Sequence, residues 1–229
     1  MTQDHEDAHA DRRPDALREA AETMRAVRDR CVWTQQIDHR ELVPYLIEES
    51  SELVDAVETG DRAELREELG DLLWQVLFHA EIASRDGDDP FDIDDVARGL
   101  TEKMIRRHPH VFAGEIAETP DQVLVLWNAA KSAEKHQRTS VLDGVSTHMP
   151  SLALAQKMLG KARQVDALPD GAPPDAVAPN GVAPRDEAEL GDALLALVAQ
   201  ARARGWDAER ALRERLRTLD RQIRDAEVG

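Results

Sequence analysis

Cysteine is nearly absent from this chain: Cys31 is the only one in 229 residues. Its isolation excludes an internal disulfide and a multi-cysteine zinc site, and suits a reducing compartment. Aromatic residues make up 3%, with Tyr45 the single tyrosine, a poor supply for a β-sandwich or barrel. Basic residues are outnumbered, 29 Lys+Arg against 46 Asp+Glu, for a formal charge of −17. Nucleic acid is therefore not an expected partner, although a local basic patch or a metal ion can still hold phosphates. Long apolar runs are missing too. The longest, Ala193 to Ala199, is far short of the roughly 20 residues that span a bilayer. The first residues are polar and lack the apolar stretch of a secretory signal. A cytoplasmic protein with no membrane partner is predicted, with residues 1–16 as a disordered tail. What the chain does have is 41% hydrophobic residues, enough for a core.

The apolar residues recur at helical spacing. Leu17 to Arg30 reads as a helix, followed by a loop with Cys31, Trp33 and Gln36. Leu42, Leu46, Leu53 and Val57 predict a helix over about 40–58, and Leu65, Leu69, Leu72, Val76 and Leu77 another over about 63–84. Thr59-Gly60-Asp61 between them supplies a helix stop and an N-cap, so the two helices form an antiparallel hairpin. Further helices are expected over 93–107 and 120–136. The run 169–184 contains five prolines and two glycines and reads as a linker, and two more amphipathic segments follow it. The predicted fold class is an all-α helical bundle. Its domains are a body over 17–165, a proline-rich linker over 166–185 and a helical hairpin over 186–229.

Acidic residues cluster on the hairpin. Residues 41–71 hold eleven acids against two bases, Arg62 and Arg66, without the Lys or Arg at i+4 that relieves repulsion on a solvated helix face. Glu49 and Glu52 share one face of the first helix, and Glu68 and Asp71 share one face of the second. Two readings stay open on spacing alone: a wet acidic surface, or four carboxylates facing each other across the hairpin. The second requires cations, because such a group cannot stay ionised unaided, and oxygen-only ligands favour Mg²⁺ or Mn²⁺. A di-iron bundle needs Glu-x-x-His pairs, and the one match, Glu6/His9, lies in the tail.

A basic group lies downstream. Lys103, Arg106 and Arg107 occupy one side of the third helix of the body, and Trp127 and Lys131 stand four apart on the next. They read either as a helix C-terminus complementing its dipole and a core aromatic, or as phosphate and base contacts. No G-x-x-x-x-G-K-[ST] loop is present, so phosphates would be held by basic side chains and metal.

These pieces, in this order, resemble the MazG family of nucleoside triphosphate pyrophosphohydrolases. EESSE (48–52) with ELGD (68–71) is similar to its E-E-x-x-E…E-x-x-D signature. EKMIRRHPHVFAG (102–114), Trp127 with Lys131, and CVWTQQIDHREL (31–42) resemble it as well. The likeness covers about residues 17–165. It implies an all-α bundle completed by dimerisation, and hydrolysis of nucleoside triphosphates to monophosphate and pyrophosphate in housecleaning of the nucleotide pool. Relatives dedicated to dUTP, dCTP or phosphoribosyl-ATP remain open, as does a non-catalytic helical interaction module.

By this resemblance Glu49, Glu52, Glu68 and Asp71 bind Mg²⁺, with Mn²⁺ as the alternative. Lys103, Arg106, Arg107 and Lys131 contact phosphates, Trp127 contacts the nucleotide, and Trp33, Gln36 and His39 lie in the loop that meets it. Glu48, about 100° around the helix from Glu49, is assigned to the attacking water. Val32, Thr34 and Ile37 depart from the family's Pro, Asp and Thr in that loop. A second, eroded repeat is expected at Glu189-Leu-Gly-Asp192, 121 residues after the first. Thr218 and Gln222 there replace basic residues and Arg221 remains. No catalysis is expected from it.

Overall fold

In a computed structural model, residues 15–134, 140–165 and 184–228 are described. The expected tail and linker fall largely outside them. Every regular element among the described residues is helical, so the chain is all-α. It divides into two compact units, Met1–Ser132 and Ala133–Gly229.

The first unit is built from α1 (Ala16–Arg30), α2 (Val43–Thr59), α3 (Arg62–Ala83), α4 (Ile93–Arg107), α5 (Pro109–Phe112) and α6 (Pro120–Glu134). The ends are set by local chemistry. Asp15 caps α1 by accepting from Leu17 and Arg18 N–H, and Asp92 forms a capping box with Asp95 at α4. Pro44 sits in the first turn of α2, where no backbone donor is lost. The expected break between the acidic helices is sharp. Gly60 takes φ +81° as the C-cap of α2, a conformation glycine adopts without strain, and Asp61 accepts from Ala63 and Glu64 N–H to start α3. With only Gly60 and Asp61 between them outside both helices, α2 and α3 must run side by side and antiparallel.

The core forms where α1 and the following loop pack on α3. Met24, Ile37, Leu42, Leu77 and Phe78 are buried together, with Ala21, Leu73, Trp74 and Ile82 packed around them. Arg28 is also buried there; its Nη1 donates to the Ile37 carbonyl at 3.0 Å and its guanidinium lies 5.7 Å from the Phe78 ring centroid. Thr34 is buried and donates to the Val27 and Cys31 carbonyls. Two of the three residues that depart from the family pattern, Thr34 and Ile37, are therefore building material of the loop. Val32 is exposed. Arg85 ties α3 to α1 through Glu81 and Asp29, at 2.6 and 2.7 Å.

The second unit contains α7 (Ser151–Ala162) with a 3₁₀ turn at Arg163–Val165, α8 (Glu187–Ala203) and α9 (Ala208–Val228). α7 packs on both α8 and α9, so it belongs with them, and the division falls at Ser132/Ala133 instead of near residue 165. Glu189, the expected relic of a repeated motif, pairs with Arg185, caps its backbone N–H and is thereby engaged locally. Asp192 is exposed.

Candidate metal centre and nucleotide site

The hairpin turn aligns the acidic faces of α2 and α3. Glu49, Glu68 and Asp71 each present a carboxylate oxygen within 4.8 Å of the others. Glu49 and Glu68 are half-buried and Asp71 is exposed. Glu52 stands one turn from Glu49 and is exposed; it lies outside this group of three but close enough to act on two of its members. Glu48 is exposed on α2.

The electrostatics are one-sided. Glu68 is pushed above the ordinary carboxylate range, first by loss of solvent and then by Glu52, Asp71, Glu49 and Glu67, all negative. Glu49 is raised likewise, by loss of solvent, then Asp71, Glu52 and Glu48, with a side-chain hydrogen bond from Gln75 partly opposing. Glu68 Oε2 is buried and has no hydrogen-bond partner. A buried acceptor among like charges is what an absent cation would leave behind. All-oxygen donors on two rigid helices suit a hard divalent ion. The residues fit a metal.

The basic residues form a second group where α4, α5 and α6 meet. Lys103 is half-buried and Arg106 is exposed on α4. The Arg107 guanidinium lies 5.3 Å from the Trp127 ring centroid, and His108 meets that ring edge-on at 5.0 Å. Trp127 thus carries a cation over one face of its ring. His108 Nδ1 lies 2.7 Å from the Met104 carbonyl. A carbonyl only accepts, so Nδ1 is the donor in this contact. His110 packs beside His108, with Nδ1 buried and unpartnered. Lys131 is half-buried one turn beyond Trp127.

The loop before α2 divides its expected residues. Trp33 packs edge-on against Tyr45 at 6.1 Å, and Gln36 is exposed. His39 stacks on His79 of α3, with centroids 5.1 Å apart and their Nδ1 atoms at 2.8 Å, so one ring donates to the other. His79 is held below its ordinary value by burial and then by His39. The unfolded chain binds that proton more readily, so stability is complete above about pH 6.5 and falls as the pH drops below it. Urea denaturation at pH 7.5 and 5.5 is expected to show a smaller loss on acidification for His79→Asn than for the native chain. An equal or larger loss in the variant would contradict this.

Gln75 and His79 escape a reading of the sequence. They fall inside the apolar continuation LLWQVLFHA, and the available signal is their spacing of four and eight residues after Asp71.

The MazG nucleotide pyrophosphohydrolase domain matches residues 37–112. The chain is 34% identical over 231 residues to the nucleoside triphosphate pyrophosphohydrolase of Escherichia coli K12, covering 93% of this chain and 86% of that protein. The chain belongs to the MazG family. A second relative, the uncharacterized 26.1 kDa protein in blaB 3'region of Streptomyces cacaoi, is 45% identical over 92% of this chain and 82% of its own length. The nucleoside triphosphate pyrophosphohydrolase of Mycobacterium tuberculosis is 48% identical over 66% of this chain, which spans 46% of that protein. The MazG match encloses the four acidic residues, His39 and the basic group of α4, and stops at Phe112, before Trp127 and Lys131. No helix among the described residues of this MazG chain is long and apolar enough to cross a membrane.

Proposed function

We propose that this chain hydrolyses nucleoside triphosphates to nucleoside monophosphates and pyrophosphate, with Mg²⁺ held by Glu49, Glu68 and Asp71 and supported by Glu52. The observation that carries the reading is the convergence of three carboxylates, one with a buried and unpartnered oxygen. A triphosphate is repelled by such a cluster alone. A divalent ion reverses the local sign and polarises the attacked phosphorus. Lys103, Arg106, Arg107 and Lys131 neutralise the phosphate chain and the departing pyrophosphate. Arg107 does so from a position fixed by Trp127, which makes Trp127 a support for that cation. Glu48, on the same helix as Glu49, orients or deprotonates the attacking water. Trp33, Gln36 and His39 form the side of the site contributed by the loop, with His39 braced by His79.

The reading also includes a homodimer. Ile47 and Val57 on α2 are each 60% exposed, and Leu69 on α3 is 52% exposed. These apolar side chains on the hairpin suit burial against a second copy. Light scattering coupled to gel filtration is expected to give twice the chain mass.

Reaction with a panel of nucleoside triphosphates and Mg²⁺, followed by ³¹P NMR, tests the chemistry. Pyrophosphate and monophosphate are expected. Orthophosphate with diphosphate would overturn the reaction type, and no product from any nucleotide would overturn the enzymatic reading.

A further inference from the structure

The stripe of α3 that carries the acidic ligands continues beyond them. Gln75 lies four residues after Asp71 and seven after Glu68, on the same face. It is 6% exposed, more deeply buried than any of the carboxylates it follows. Its amide faces Glu49 on the facing helix α2, closely enough to favour that carboxylate's ionised form. An ionised carboxylate only accepts, so the donor end, Nε2, is the end that faces it. That fixes the other end: Oε1 is buried and has no partner. Turning the amide over does not cure this, because it would set oxygen against oxygen and strand the donor instead. The neighbours Leu73, Trp74 and Leu77 show that this part of α3 is otherwise apolar. A glutamine buried there with half its amide unsatisfied is costly for packing alone.

Mg²⁺ binds through a few carboxylates and keeps several of its waters, whose hydrogens need acceptors. We infer that Gln75 is a positioning residue of the metal site: Nε2 holds Glu49 in its ligating orientation, and Oε1 accepts from a water that arrives with the ion. The inference rests on the proposed metal-binding role of Glu49, Glu68 and Asp71.

The test is calorimetric titration of the full chain with Mn²⁺, without nucleotide, for the native protein, Gln75→Met and Gln75→Asn. Melting in EDTA is recorded in parallel. Met keeps the length and apolar fit of the buried stem, and Asn keeps an amide one methylene short. Gln75→Met is expected to bind Mn²⁺ about tenfold more weakly, in the range usual for partners of metal ligands, and to melt close to the native chain. Gln75→Asn is expected to lie between the two. Native affinity in Gln75→Met overturns the inference, and so does an Asn variant as weak as Met, since the amide would then not be what matters. Loss of cooperative melting in Gln75→Met assigns Gln75 to the fold and overturns it too. Failure of the native chain to bind Mn²⁺ would instead sink the metal reading itself.

Discussion

Glu68→Gln is expected to lose nearly all metal-dependent turnover while making the metal-free protein more stable. Gln is about as good a helix former as Glu, so α3 is kept. What disappears is a charge surrounded by Glu52, Asp71, Glu49 and Glu67, together with one candidate ligand oxygen that has no protein partner. Outer-shell partners of a metal are worth about 10–100-fold in affinity or activity, so loss of a direct ligand should cost more than about 100-fold. The stability effect follows from the sign of the shift. Glu68 is raised in the folded state. Its favourable contribution is therefore present below the ordinary glutamate value near 4.3 and is lost as the pH rises through the folded value. At neutral pH the native chain carries that loss and the Gln variant does not. Differential scanning calorimetry in EDTA at pH 7 should give a higher Tm for Glu68→Gln, and Mg²⁺ should raise the Tm of the native chain alone. A variant that is both less stable without metal and still active would contradict the assignment.

Phe78→Ala is expected to destabilise the first unit by about 3–5 kcal/mol, the usual range for truncating a buried aromatic. For a chain of this size that lowers Tm by on the order of 10 °C. Phe78 is 2% exposed at the centre of the cluster that joins α1, the loop and α3. Its ring also lies under the Arg28 guanidinium, which in turn holds the Ile37 carbonyl. The cavity therefore removes packing and frees the cation that pins residues 31–42. Urea unfolding followed by tryptophan fluorescence measures the loss. A loss below about 1 kcal/mol would mean that this cluster is not the core of the unit.

Much of this was legible in the residues. The period of Leu42, Leu46 and Leu53 and the stop-and-cap pair Gly60-Asp61 are local signals, so the hairpin could be read directly. The i,i+3 acid pairs could be seen because helix geometry alone decides which side chains share a face. Which acids converge is a tertiary matter. It depends on how α2 is rotated against α3, and that rotation brings Glu49, Glu68 and Asp71 together and leaves Glu52 outside. The loop over 31–42 has no period to read, so the burial of Thr34 and Ile37 follows only from the packing of α1 on α3. Gln75 and His79 are hard to single out because a polar residue in an apolar helix resembles noise until its facing partner is known, here Glu49 and His39. The helix α7 is hard to read from sequence for a related reason. It is short, and the face it buries is defined by α8 and α9, across the proline-rich run.

The most direct measurement is a crystal of the full chain soaked in Mn²⁺ and examined by anomalous scattering. A peak bounded by carboxylate oxygens of Glu49, Glu68 and Asp71 is expected. A hairpin whose three acidic side chains turn apart into solvent, with the manganese signal elsewhere or missing, would contradict the metal assignment.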